Sequence, residues 1–185
     1  MVFIHMAEGY EEVEALTCVD VLRRAGIDAK MVSVTGNRMV TGAHGISIEA
    51  DLLFEEADYA ACEMIVLPGG MPGATNLRDH AGLTAQIEAF AKAGRPLAAI
   101  CAAPLALAAH GALEGKKATI YPGMEEYLAS AAPTGENVTV DGSVITGMGP
   151  ALAMEFALTL VGYLKDEKTK KEVATGLLYD RIVEI

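Results

Sequence analysis

Cys101 is the side chain best placed for covalent chemistry. It stands between the apolar run Leu97-Ala98-Ala99-Ile100 and the alanine-rich run Ala102-Ala103-Pro104-Leu105-Ala106-Leu107. The first run suits a buried strand and the second a helix, so the thiol falls on a strand-to-helix turn. Such a turn resembles a nucleophile elbow, in which a sharp backbone bend exposes one side chain and tolerates only small neighbours. Ala99 and Ala103 supply those neighbours. A helix start offers unpaired N–H groups and the positive end of the macrodipole, both of which favour thiolate. The same residue also reads as a small buried hydrophobe, a common state of free cysteine.

Glu14 is the second unusual residue. At about 100° per residue it shares a helical arc with Cys18, Val21, Leu22 and Ala25, where a carboxylate is out of place. Burial there would raise its pKa and permit a shared proton with a nearby anion. The alternative is a first-turn glutamate that serves the helix N-terminus, as Glu11 can. The run Pro68-Gly69-Gly70-Met71-Pro72-Gly73 lets bare backbone N–H groups approach a reacting carbonyl, and two such donors make an oxyanion hole. It is equally the composition of a plain turn. It lacks the Gly-Lys-Ser/Thr ending of a phosphate-binding loop, and Gly147-Met148-Gly149 lacks dinucleotide-fingerprint spacing, so no cofactor is expected.

A thiol nucleophile commonly has a histidine base, and none is well placed here. His110 lies nine residues past Cys101, roughly 13 Å along a helix. His5 is expected to be packed or half exposed at the end of the first strand, and His80 to sit solvated in a polar turn. His44, in the tip Gly42-Ala43-His44-Gly45, is the one candidate that could reach a site in the same or a partner subunit.

The elements that must hold these residues alternate. Strands are predicted at Val2–His5, Lys30–Val34, Met64–Leu67, Leu97–Ile100 and Ala118–Ile120, and helices at Tyr10–Ala25, Leu83–Ala93, Ala102–His110 and Ala151–Leu164. Apolar strands alternating with helices imply an α/β fold whose mostly parallel central sheet is covered on both faces. Two hairpins decorate it, one near Met39–Ile48 and one turning at Asp141-Gly142 between Val138-Thr139-Val140 and Val144-Ile145-Thr146. Asp166–Lys171 is charged, and Glu172–Ile185 is expected to form a helix that docks. The Ala7–Glu14, Pro68–Gly73 and Cys101 segments all fall beyond strand carboxyl ends, where open sheets bind ligands.

Residues 1–185 are expected to form one domain. Net charge is −11, from 14 basic and 25 acidic side chains, which argues against nucleic acid or an anionic membrane as partner. Although 52% of residues are hydrophobic, no apolar stretch reaches the roughly 18 residues of a membrane span, and the start lacks signal-peptide character. A cytoplasmic protein is expected. Cys18, Cys62 and Cys101 have neither paired nor metal-type spacing, so no disulfide framework and no metal site is expected. Asn137-Val138-Thr139 then reads as a chance glycosylation triplet.

Taken together, the segments Ala7-Glu8-Gly9-Tyr10-Glu11-Glu12-Val13-Glu14, Val19–Ile27, Val66-Leu67-Pro68-Gly69-Gly70, Ala98–Ala102 and Gly149-Pro150 resemble the DJ-1/ThiJ/PfpI superfamily, specifically its DJ-1 branch. The resemblance runs in order across nearly the whole chain. It implies a flavodoxin-like three-layer sandwich, a homodimer, and Cys101 as the reactive cysteine. It also implies a protonated Glu14 bonded to the sulfur, with the amides of Gly70, Met71 and Ala102 lining the pocket beside Gly69. Two departures stand out. Tyr121 occupies the place of a histidine found in many relatives, and with an ordinary pKa near 10 it makes a poor base at neutral pH. Ala102 follows the cysteine where the protease-like branch has histidine, which disfavours a peptidase.

Three functions follow from the resemblance. One is a cysteine-dependent glyoxalase or deglycase acting on small reactive carbonyls such as methylglyoxal or its adducts. The second is a redox-sensing, oxidative-stress chaperone that uses the oxidisable thiol. The third is a thiazole or thiamin-related role, for which no residue speaks.

Overall fold

A computed structural model describes residues 1–183. In chain order its regular elements are β1 Val2–Met6, α1 Glu12–Arg24, β2 Ala29–Ser33, β3 Met39–Thr41, β4 Ser47–Glu49, β5 Leu52–Leu53, β6 Met64–Leu67, α2 Gly73–Asp79, α3 Ala81–Ala93, β7 Leu97–Ile100 and α4 Pro104–Ala109. They continue with β8 Lys117–Ala118, β9 Ala132–Pro133, β10 Val138–Asp141, β11 Val144–Gly147, α5 Ala153–Leu164 and α6 Glu167–Gly176. Every residue of β1, β6, β7 and β11 is buried. Unbroken apolar runs of this kind belong to strands covered on both faces. The cover comes as two groups of helices, α1 against α5 with α6 beyond it, and α2 against α3 and α4.

The main sheet runs β10-β11-β7-β6-β1-β2-β5, parallel throughout except for the β10–β11 pair. Without its two edge strands the order is β2-β1-β6-β7-β11, the 2-1-3-4-5 winding of a flavodoxin-like fold. The chain goes from β1 outward to β2 and returns to β6, so the topological switch point lies between β1 and β6. Their carboxyl ends carry the segments that lead to Glu14 and to Gly69.

Four sequence expectations change. The run Ala118–Ile120 does not join the main sheet: Lys117–Ala118 pairs with Ala132–Pro133 in a small separate ribbon. The Thr119 amide donates instead to Thr146 Oγ1 at 2.9 Å, so a side chain takes the place of the next ladder bond. The second hairpin is no decoration, because β11 packs parallel to β7 as a fully buried strand and only β10 is an edge. Its two-residue turn is Gly142-Ser143, with Asp141 paired to Val144. Finally, the tail helix begins at Glu167, with Asp166 accepting from the Thr169 amide at 2.7 Å, and ends at Gly176. The charged stretch thus belongs to α6, whose buried residues are Val173 and Ala174; the last residues of the expected tail helix, 184 and 185, lie outside the described residues.

Candidate active site

Cys101 directly follows β7 with φ at 62°, in the left-handed region that residues other than glycine seldom enter. Two backbone hydrogen bonds hold it there. Its N–H donates to the Gly147 carbonyl at the end of β11, and its own carbonyl accepts from the Tyr121 amide, both at 2.9 Å. The Ala103 N–H turns back to the Ile100 carbonyl at 3.0 Å, closing a tight turn into α4. The elbow leaves Cys101 8% exposed, whereas Cys18 and Cys62 are packed at 0% and 1%.

Glu14, in the first turn of α1, is 0% exposed. Its Oε2 accepts from the Gly69 amide at 2.7 Å, while Oε1 is buried with no conventional hydrogen-bond partner among the described residues. The Cys101 thiol is the carboxyl's other neighbour. Glu11 caps the helix by accepting the Glu14 amide at 2.8 Å, and its own N–H donates to the Gly69 carbonyl at 2.9 Å across the switch point. Gly69 and Gly70 are required by close approach. A methyl group on Gly69 would stand 2.7 Å from both Cys101 Cβ and Glu14 Oε2, and one on Gly70 would stand 2.5 Å from the Glu11 nitrogen and the Gly9 oxygen.

The electrostatics correct one sequence argument. Burial raises the Glu14 carboxyl to about 7, against smaller opposing contributions from the Cys101 contact and the Gly69 amide. The thiol is also raised, to about 12, by burial first and then by the charge and hydrogen bond of Glu14. The amides of Ala102 and Gly70 pull it down but are outweighed. The short helix therefore does not make a free thiolate. Instead, the proton stays on sulfur, and the negative charge that the pair gains near neutral pH rests on the Glu14 carboxylate.

The other candidate residues fall differently. The Gly69 amide is committed to Glu14 and is not available to an oxyanion; the amides that reach the sulfur are those of Gly70 and Ala102. Met71 is half-exposed, at 52%. Tyr121 meets Cys101 through its backbone, and its half-exposed ring lies over Gly149. His44 does not pair with the thiol: its Nδ1 and its backbone N–H both bind Glu12, each at 2.8 Å, and Glu11 lies 3.9 Å away. Glu12 is the residue sequence reasoning missed, since it points away from the core arc of α1 yet is 5% exposed beneath the Gly42–Ile46 tip. Glu11, Glu12 and His44 bring ligand-type atoms within 4.8 Å of one another, though they are engaged with each other and with nearby amides. His80 is not a solvated turn residue; its Nδ1 accepts from the Leu83 amide and caps α3.

A model of the DJ-1/PfpI family matches residues 1–162. The chain is 41% identical over 179 residues to protein DJ-1 homolog B of Arabidopsis thaliana, covering 96% of this chain but 41% of that protein. It is 32% identical over 152 residues to a protein named as a deglycase from Pyrococcus abyssi, covering 80% of this chain and 90% of that one. Oxidized DJ-1 of Toxoplasma gondii superposes with a TM-score of 0.92 at 36% identity, over 96% of this chain and 97% of the other. This chain belongs to the DJ-1/PfpI family, and it spans less than half the length of the Arabidopsis relatives it matches.

Proposed function

We propose that the chain is a cysteine-dependent enzyme of the glyoxalase or deglycase type, acting on methylglyoxal or its adducts on amines and thiols. The observation that carries this reading is the buried Glu14–Cys101 pair, with the Gly70 and Ala102 amides directed at the sulfur. A carboxyl raised to about 7 is suited to giving and taking protons at neutral pH. Glu14 takes the thiol proton as sulfur adds to the aldehyde carbon and passes it to the new oxyanion, which the amides that had faced the sulfur hold in place. The carboxylate restored in this way removes the C1 hydrogen as a proton and delivers it to C2, while the proton of the C1 hydroxyl moves to the C2 oxygen. The aldehyde carbon is oxidised to a thioester while the ketone carbon is reduced to an alcohol. Water cleaves the thioester, releasing lactate and restoring the thiol, so no external oxidant or reductant enters. The deglycase name of the Pyrococcus relative supports this reading. Purified protein is expected to convert methylglyoxal to lactate and Cys101→Ser to lose that turnover; equal rates in the two proteins defeat the reading.

A second reading, a redox sensor, is favoured by the oxidized form in which the Toxoplasma relative was solved. A protonated Glu14 would donate to a sulfinate oxygen on Cys101. Intact-mass analysis after mild peroxide is expected to show two added oxygens on Cys101 and fewer in Glu14→Gln. An inert thiol counts against it.

A further inference from the structure

Both backbone hydrogen bonds of the elbow lead to the walls of one groove. The Cys101 carbonyl binds the Tyr121 amide, and the Cys101 N–H binds Gly147, from which the chain continues into Met148 and Gly149. Tyr121, Pro122, Met148 and the turn Gly149–Leu152 line an open surface groove of ≈ 430 Å³. A methyl group on Gly149 would lie 3.4 Å from Tyr121 Cδ2, so the two walls nearly meet at this point. None of the lining residues carries a charge, although the chain as a whole is strongly acidic. The space lies in the size range of small-molecule sites, far larger than the methyl group of methylglyoxal fills.

We propose that this groove selects reactive carbonyls bearing an alkyl chain or aromatic ring, such as aryl or long-chain 2-oxoaldehydes, over glyoxal and methylglyoxal. The proposal rests on the reading of Cys101 as the carbonyl nucleophile. The aldehyde carbon bonds to sulfur as described, and the substituent on C2 lies along Tyr121, Met148 and Leu152. Charged adducts, such as those on guanidinium or ammonium groups, lose hydration there without gaining a partner, so they are poorer substrates. Tyr121, in the place of the family's histidine, then serves as an apolar wall and not as a base.

The test compares glyoxal, methylglyoxal, butyl- and hexylglyoxal and phenylglyoxal, each normalised to its non-enzymatic addition to glutathione. Expected kcat/KM rises about two- to fourfold for each methylene laid on the groove, up to its length, and phenylglyoxal is preferred to methylglyoxal. Leu152→Asp and, independently, Tyr121→Ala flatten the series. A flat series in active wild-type protein overturns the groove's role while leaving the enzyme reading intact. Absence of turnover with every aldehyde defeats the enzyme reading, and the groove is then judged by alkylation of Cys101. There, N-hexyl- and N-benzyliodoacetamide must react faster than iodoacetamide in wild type, and lose that advantage in both variants; equal rates overturn the proposal.

Discussion

The backbone amide of Gly69 donates to Glu14 Oε2 at 2.7 Å, joining the end of β6 to the first turn of α1 across the switch point. This bond fixes the carboxyl beside the thiol and removes from the glycine loop a donor that an oxyanion would otherwise use.

Replacing Glu14 by Gln preserves an acceptor for Gly69 and removes the charge. Folded Glu14 titrates at about 7, against 4.5 for an unperturbed carboxyl. The folded state therefore binds more protons between these values, and wild-type stability falls as pH rises from 4.5 to 7. Glu14→Gln is expected to lose this dependence and to exceed wild type at pH 8 by on the order of 3 kcal/mol, read from urea unfolding. Parallel pH curves for the two proteins would contradict the buried carboxyl.

The same variant separates two roles of Glu14 toward sulfur. Its charge and hydrogen bond raise the thiol, so iodoacetamide profiles should place the Cys101 titration lower in Glu14→Gln than in wild type. Turnover of methylglyoxal should nevertheless fall at least tenfold, within the ~10²–10⁴ range of a general base. A higher thiol pKa in the variant would mean that the acid stabilises thiolate.

Gly69→Ala adds a carbon 2.7 Å from Cys101 Cβ and Glu14 Oε2 and 2.9 Å from the Ile100 carbonyl. Little can yield, because these are buried or backbone atoms. A loss of about 2–3 kcal/mol is expected from denaturant midpoints, together with loss of carbonyl turnover. A variant as stable as wild type would show that the crevice is wider than described.

The left-handed turn at residue 101 is tested by comparing Cys101→Gly with Cys101→Ala. Both remove the thiol, but only glycine adopts φ near 62° without steric cost. The glycine variant should be the more stable by about 1 kcal/mol, the left-handed cost less glycine's extra freedom when unfolded. Greater stability of the alanine variant would rule out a strained elbow.

His5 governs the acid side. It is fully buried on β1, its Nε2 lies 2.7 Å from Tyr59 Oη, and burial lowers its pKa from 6.5 to about 3. The unfolded state thus binds more protons between those values, and this contribution to stability is lost as pH falls from 6.5 toward 3. His5→Gln should flatten the acid limb of a calorimetric Tm–pH curve. An unchanged limb would assign acid sensitivity to other groups.

The sequence was most legible where one face of an element decides its character. The buried arc of α1 exposed Glu14 as out of place, and the small residues around Cys101 signalled a tight turn. It was least legible where pairing depends on distant chain. Ala118–Ile120 has a strand's composition, but the Thr146 hydroxyl takes the Thr119 amide. Val144–Gly147 followed by the apolar helix Ala153–Leu164 is a strand–helix unit, a signal that β11 belongs inside the sheet and not on a hairpin apart. Glu12 carried no local signal, because the hairpin tip that buries it arrives some thirty residues later in the chain.

The seat of Cys101 has a consequence for the chain during its synthesis. Glu14 and Gly69 precede the cysteine, but the Tyr121 amide and Gly147 carbonyl that pin residue 101 both follow it. A nascent chain released only as far as α4 has the thiol and its acid but no hold on the left-handed bend, and residue 101 is then an ordinary flexible cysteine. The left-handed bend is pinned only after translation has passed β11, so the ribosome releases residue 101 well before the chain that fixes its backbone.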